Sequence, residues 1–246
     1  MPKVTLRFYE ELNHFLKKDR RKTDFQVDYD NNRSIKDMIE SLGVPHTEVD
    51  LILKNGESVD FSYIIKDGDR FSIYPAFESL NISKVTRLRK IPLRRTEFIA
   101  DINIGDIVRY MRALGFDVFF DPLLTIREII EISGRENRII LTKSRRLLKF
   151  SDVTHGIYVH PGKFPEQIKR IIQYLDIKDT VKPFSRCLLC NGLLLGVEKD
   201  KIINRIPQKT RSFCNEFSYC KKCDKYYWKG THWIHMKEVL DRILDD

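Results

Sequence analysis

The feature that most constrains this chain is a pair of Cys-x-x-Cys motifs near its carboxyl end. Cys187 and Cys190 form the first and Cys220 and Cys223 the second, with 29 residues between them. Two cysteines spaced by two residues on a tight turn can bring both thiolates to one ion. Two such knuckles close a tetrahedral sulfur cage of the structural kind. Asn191-Gly192 follows the first pair and tolerates the left-handed backbone that a knuckle needs. The spacing therefore predicts a Zn2+ site held by Cys187, Cys190, Cys220 and Cys223, clamping strands at 193–197 and 226–228. Few apolar residues lie in this stretch, so the metal is expected to carry much of the local folding energy. Iron on four thiolates, or redox chemistry of the pairs, are the alternatives. The redox reading is weakened because no thioredoxin-like strand precedes either pair. Cys214 has no partner at knuckle spacing and reads as a small core residue, with ligand exchange as the alternative.

The rest of the chain is long enough for further globular structure. It has 246 residues, 42% hydrophobic and 32% charged, outside the composition of disordered chains. No run approaches the ~18 apolar residues of a membrane helix. The amino terminus reads as a strand and lacks a signal peptide's apolar core and cleavage site, so a cytoplasmic location without membrane attachment is expected. Residues 3–9 alternate apolar and polar, and a second strand covers 24–29. Ser34 can cap a helix that turns Ile35, Met38, Ile39 and Leu42 inward, stopped by Gly43 and Pro45. Strands at 49–54 and 70–74 follow. This ββαββ order resembles a ubiquitin-like β-grasp fold of the ThiS/MoaD sulfur-carrier type. Such carriers work through a terminal Gly-Gly. Here Pro75-Ala76-Phe77-Glu78 continues the chain without a glycine pair, which excludes thiocarboxylate chemistry and leaves docking of an unidentified protein partner.

Residues 81–95 read as a basic linker, and beyond it the pattern changes. A short strand at 98–100 ends at Asp101. Ile104, Ile107, Val108, Met111 and Leu114 keep helical spacing up to Gly115. A strand at 117–120, a helix at 125–133, a strand at 138–142, a short helix at 143–148, a strand at 156–160 and a helix at 165–175 follow. This alternation predicts an α/β architecture, a mostly parallel sheet with helices on both faces. Functional groups of such sheets gather at the carboxyl ends of the strands, where Asp101, Asp121 and Lys143-Ser144 fall. The expected organisation is a ubiquitin-like domain at 1–80, the linker at 81–95, the α/β domain at 96–180, and a zinc ribbon with a carboxyl-terminal helix at 181–246.

Charge points to a polyanionic partner. The formal net charge is +9. Residues 84–95 hold six Lys/Arg and no acid, and residues 135–149 hold six against Glu136 alone. Such stretches suit nucleic acid, with an ordinary solvated surface as the alternative.

Several motifs then match one family in order: Tyr74-Pro75-Ala76-Phe77-Glu78-Ser79, Pro92-Leu93-Arg94, Asp101, Arg109 to Asp117, Ile139 to Thr142, Arg186-Cys187-Leu188-Leu189-Cys190-Asn191-Gly192, and Tyr227 to Trp233. Together they resemble the Mut-seven C-terminal RNase family, a PIN-like nuclease domain followed by a zinc ribbon and often preceded by a ubiquitin-like domain. The resemblance implies RNA as partner and carboxylates that bind Mg2+ or Mn2+ to activate a water. Asp101 stands where the family's first carboxylate belongs. Thr125-Ile126 replaces an acidic pair, leaving Glu128 nearby, and Ser144 stands where an Asp is expected. Asp106 and Asp121 are further candidate acids. Thr125 and Glu128 also fit a helix capping box, and Asp121 before Pro122 fits a turn. The expected function is a PIN-like RNase-family protein that binds RNA with weak metal-dependent hydrolysis. A non-catalytic RNA-binding or adaptor protein is the alternative. The candidate RNA-contacting bases are Arg94, Arg95, Arg109, Arg112, Lys143, Arg145, Arg146, Lys221 and Lys222, with Lys225 beside them. His232 and His235 read as structural or RNA-facing.

Overall fold

A computed structural model of the chain describes residues 1–30, 32–75 and 96–245. The first strand, β1 (Lys3–Phe8), alternates as its sequence requires, with Val4, Leu6 and Phe8 buried. It pairs antiparallel with β2 (Phe25–Asp28). Helix α1 (Ile35–Ser41) follows, its first turn closed by the Ser34 hydroxyl accepting from the Asp37 N–H at 3.1 Å. Gly43 ends it at φ +101°, a left-handed position where a side chain would be strained. A 3-10 turn, His46–Glu48, then leads into β3 (Leu51–Lys54), which is shorter at its start than the sequence pattern suggests. The short edge strand β4 (Glu57–Ser58) and β5 (Arg70–Tyr74) complete the sheet.

Strand order is β2-β1-β5-β3-β4, with β1 and β5 parallel at the centre and the other pairs antiparallel. Leu6 faces Phe71 and Phe8 faces Ile73 across the parallel pair. These residues bury against Ile35, Met38 and Ile39 of α1 and against Ile52. One helix laid across a five-stranded mixed sheet is the ubiquitin-like β-grasp arrangement.

The chain continues through β6 (Glu97–Ala100), α2 (Gly105–Ala113), β7 (Asp117–Phe119), α3 (Ile126–Glu136), β8 (Ile139–Thr142), β9 (Gly156–Tyr158) and α4 (Phe164–Tyr174). β6 and β7 pair in parallel, as do β8 and β9, which is the parallel strand-and-helix alternation the hydrophobic pattern predicts. One expected element is absent. In place of a helix at 143–148 there is a bend and a single 3-10 turn, Leu147–Lys149. The Thr142 hydroxyl accepts from the Ser144 N–H at 2.8 Å and the Ser144 hydroxyl from the Leu147 N–H at 3.3 Å. Side-chain oxygens thus take up donors that would otherwise face open water, and the turn competes with a helix.

The carboxyl-terminal part holds a three-stranded antiparallel sheet of β10 (Leu194–Val197), α5 (Lys199–Ile202) and α6 (Gln208–Phe213) on the connection, then β11 (Phe217–Cys220) and β12 (Lys225–Trp228), followed by α7 (Thr231–Leu244). The sequence pattern supplied the outer strands and the last helix but not β11 or the two short helices. This part also has more core than expected. Ile202, Ile206, Cys214 and Phe217 bury together, with Val197, Tyr226 and Trp228 packed against them. Cys214 is a core residue of that cluster.

The described chain divides into two compact units. One comprises the described residues of Met1–Arg95 with Ile130–Tyr158, the other Thr96–Ile129 with the described residues of Val159–Asp246. Within the first, the β-grasp sheet is fastened to the 130–158 segment by buried polar contacts. His46 Nε2 lies 2.9 Å from the Val153 carbonyl, and its Nδ1 lies 2.7 Å from Glu40 Oε1. Glu48 Oε1 accepts from the Tyr158 N–H at 2.5 Å. The Arg145 guanidinium sits over the rings of Phe15 and Tyr158, at 5.0 and 5.2 Å.

Candidate metal centre

The two Cys-x-x-Cys knuckles converge as their spacing predicts. The ligand atoms of Cys187, Cys190, Cys220 and Cys223 all lie within 4.8 Å of one another. Cys187 Sγ is 3.5 Å from Cys223 Sγ and Cys190 Sγ is 3.3 Å from Cys220 Sγ. Sulfurs about 2.3 Å from a central zinc stand somewhat under 4 Å apart in a tetrahedron, so the donor set fits Zn2+ with little adjustment. The four are free thiols, two buried and two partly so.

The backbone that makes this possible is local. In the first knuckle the Gly192 carbonyl accepts from the Cys187 N–H at 2.7 Å, and the Cys187 carbonyl accepts from the Asn191 N–H at 3.0 Å. Asn191 takes the left-handed position, at φ +67°. Gly192 serves differently: a Cβ there would sit 3.2 Å from Cys220 Sγ and 3.5 Å from Cys190 Sγ, so it is small because the thiols need the room. In the second knuckle Asp224, at φ +56°, takes the corresponding left-handed position.

Electrostatics prepare the site for a cation. Burial works against a thiolate at Cys187, but the Cys190 N–H, the Tyr227 hydroxyl at 3.0 Å and the Leu189 N–H outweigh it and bring that thiol down to about 6. Burial and the three neighbouring thiols push Cys223 up to about 12. One sulfur thus ionises readily and resists the ionisation of Cys190 and Cys223. A divalent cation relieves that conflict by offsetting part of the charge of the clustered thiolates. Burial and the Cys187 sulfur raise the Tyr227 hydroxyl, keeping it a donor.

The knuckle is tied to the strand–helix layer by three side chains. Asn191 Oδ1 accepts from the Val118 N–H at 3.1 Å and its Nδ2 donates to Asp117 at 2.8 Å. Arg186 pairs with Asp117 at 3.1 Å and donates to the carbonyls of Gly115 and Asn191. Arg112 is 4% exposed. It donates through Nε and Nη2 to the Val118 carbonyl, and through Nη1 to the carbonyls of Leu188 and Leu189 inside the first knuckle. This corrects the sequence expectation for Arg112: a sealed guanidinium with its donors spent on carbonyls is a positioning clamp and does not face a polyanion. Asn191, Arg186 and Tyr227 stood in the sequence motifs, but nothing in spacing alone reveals what they hold.

The expected acids sit in local turns. Asp101 is buried and caps the turn Ile102–Ile104, accepting from the Asn103 N–H at 2.8 Å. Asp106 is exposed in the first turn of α2. Asp121 accepts from the Leu123 N–H at 2.9 Å. Glu128 Oε2 accepts from the Thr125 N–H at 2.8 Å and from the Thr125 hydroxyl at 2.7 Å. The Glu128 N–H donates back to the Thr125 hydroxyl at 3.3 Å, which completes the capping box, and the two bonds to Oε2 hold the Glu128 carboxyl below its ordinary range. Ser144 lies in the other unit, in the turn after β8. Among the described residues, the cysteine set is the group of three or more His, Cys, Asp or Glu side chains close enough to share an ion. Among the described residues the acids do not converge as the two or three carboxylates of a tight hard-cation site would.

Of the candidate RNA-contacting bases, Arg109, Lys143, Arg146, Lys221 and Lys222 are exposed, as is Lys225. Arg145 is exposed at its residue level while its guanidinium lies over Phe15 and Tyr158. Arg94, Arg95 and the rest of 84–95 lie outside the described residues, as does the Ala76–Ser79 part of the motif after β5. His232 and His235 are exposed on α7.

A family model for the Mut7-C RNAse domain matches residues 96–240, and one for the Mut7-C ubiquitin domain matches residues 1–81. The chain belongs to the Mut7-C RNase family. No curated protein matches it. Two structures of small archaeal modifier protein 1 from Haloferax volcanii are similar to its β-grasp part, each at 16% identity. They cover 30% and 32% of this chain and 98% and 99% of their own, with TM-scores of 0.25 and 0.26. Mut7-C membership ties the chain to nuclease-like, RNA-related function. Among the described residues no helix is long and apolar enough to cross a membrane.

Proposed function

We propose that this Mut7-C chain is first an RNA-binding protein, with RNA hydrolysis reduced to a trace centred on Asp101. The observation that carries this reading is the use of Glu128. Its Oε2 accepts from the Thr125 N–H and hydroxyl while its own N–H donates back to that hydroxyl, so the acid nearest the expected pair already serves the start of α3. Asp121 likewise serves a turn. Mg2+ or Mn2+ would require charge that Thr125, Ile126 and Ser144 do not supply. The basic composition and the exposed Arg109, Lys143, Arg146, Lys221 and Lys222 support a polyanionic partner.

In this reading Zn2+ has a structural role, fixing the ribbon that presents Lys221 and Lys222. The ubiquitin-like part, taken as 1–80, docks a protein partner. The 81–95 linker, the PIN-like 96–180 domain and the 181–246 ribbon engage RNA, and the protein works in the cytoplasm. The test is a binding titration of single-stranded RNA across salt, with metal analysis of the same sample. Affinity should fall by orders of magnitude between ~50 and ~200 mM salt, as counterion release dictates for a multi-phosphate contact. The sample should hold one zinc and take up no tightly bound manganese. Absence of binding at low salt, or a tight manganese site, would overturn it.

A further inference from the structure

Both tryptophans of the chain, Trp228 and Trp233, line one groove of about 1180 Å³. Its walls include Phe184, from the segment before the first knuckle, and Trp233 of α7, whose rings lie 5.0 Å apart at 34°. Gly196 and Ser218, register partners on β10 and β11, line it too, as does Tyr227, the Ser218 partner on β12. A Cβ at Gly196 would meet nothing within 4 Å, so the sheet surface there is open. Phe213, also a lining residue, is 65% exposed. Arg109 and Lys229 supply cations, with Lys229 Nζ 5.6 Å from the centre of the Trp233 ring.

We infer that this groove is a stacking site for the unpaired bases of single-stranded RNA, with Arg109 and Lys229 placed for its phosphates. The inference rests on the RNA-binding reading above and gives it a location. The volume exceeds the ~300–1,000 Å³ of small-molecule pockets and suits an extended chain. Aromatic walls beside cations, over a floor of small residues, match what sequence-tolerant single-strand binding needs: π-faces for the bases and positive charge along the backbone. Paired bases present no free faces, so a duplex is excluded. The acids at the groove are already tied to lysines, Glu216 to Lys229 at 2.6 Å and Glu198 to Lys201 at 2.8 Å. Phosphate can replace Glu216 on Lys229 without creating a buried unpaired charge.

Because both tryptophans sit at the groove, intrinsic fluorescence reports on it directly. The experiment titrates zinc-loaded full-length protein with oligouridylate and with an RNA duplex of equal length, reading tryptophan emission and the anisotropy of labelled RNA together. The single strand should quench emission in step with binding, and the duplex should not. Gly196→Phe, which fills the open floor, should weaken single-strand binding about tenfold, the order expected for one lost base stack. Trp233→Phe should bind nearly as wild type and Trp233→Ala about tenfold more weakly. Each variant should retain one zinc. If Gly196→Phe fails to fold, the Trp233 pair and Arg109→Ala carry the test. RNA bound with unchanged emission, or with wild-type affinity in Gly196→Phe and Trp233→Ala, overturns the groove while leaving RNA binding intact. That would point to a protein segment as its occupant. No RNA binding in any form overturns both readings.

Discussion

Replacing Arg112 by methionine separates the two roles this residue could have. The side chain keeps its length and apolar stem but loses N–H donors that reach three carbonyls at 2.6 to 3.2 Å. A buried acceptor left without a donor costs about 1–3 kcal/mol. Leu189 is 58% exposed, so water can satisfy its carbonyl, and the Val118 and Leu188 carbonyls bear most of the loss. Against this, the variant no longer buries a guanidinium, whose pKa burial pulls down in the native protein. The balance is a loss of about 2–3 kcal/mol. With a urea slope of ~1–3 kcal/mol per molar, the unfolding midpoint of this region should fall by about 0.7–3 M. Zinc should pass faster to a chromogenic chelator, because the first knuckle loses its brace. Arg112→Lys should lie close to Arg112→Met, since one ammonium cannot span both ends of the fork. RNA affinity should hold in the folded variant. An unchanged midpoint and unchanged zinc release, with RNA affinity lost, would refute the clamp and restore Arg112 as an RNA contact.

Other outcomes follow from the same geometry. Cys220→Ser should release the zinc and unfold the ribbon, seen as loss of zinc by elemental analysis and of protection in hydrogen exchange; full retention would count against the four-cysteine assignment. His46→Ala or Glu48→Ala should each lower the stability of the first unit by about 1–3 kcal/mol in denaturant, because each strands a buried hydrogen-bonding group, while zinc content stays fixed. The Glu128 carboxyl is depressed when folded by the Thr125 N–H and hydroxyl. Its capping contribution is therefore full above the ordinary value and fades as pH falls through the lower folded value. Glu128→Gln should remove that portion of the acid destabilisation, and melting curves that keep their full pH dependence would contradict the capping role.

What the sequence made legible were the features written in short-range spacing. Two Cys-x-x-Cys pairs forecast the thiol cluster, the alternation around Leu6 and Phe8 forecast the β-grasp sheet, and Thr125 with Glu128 forecast the capping box. β11 escaped because Phe217–Cys220 is short and ends in a cysteine of the thiol cluster, so its hydrophobic pattern is truncated. The helix expected over 143–148 failed because Thr142 and Ser144 hydroxyls compete for the backbone donors. Arg112 looked like surface charge because an arginine is by default solvent-facing. Its partners at Leu188 and Leu189 lie more than seventy residues away and are invisible to any local pattern. The groove was hidden for the same reason: Phe184, Gly196 and Trp233 share no spacing and meet only through the fold.

The central claim is that this chain holds RNA better than it cuts it. The most direct measurement is manganese-dependent cleavage of end-labelled single-stranded RNA by wild type and Asp101→Asn, with binding measured on the same preparations. RNA should be bound by both, with only trace cleavage by wild type and none by Asp101→Asn. Robust wild-type cleavage that survives Asp101→Asn would contradict the claim and place the active site elsewhere.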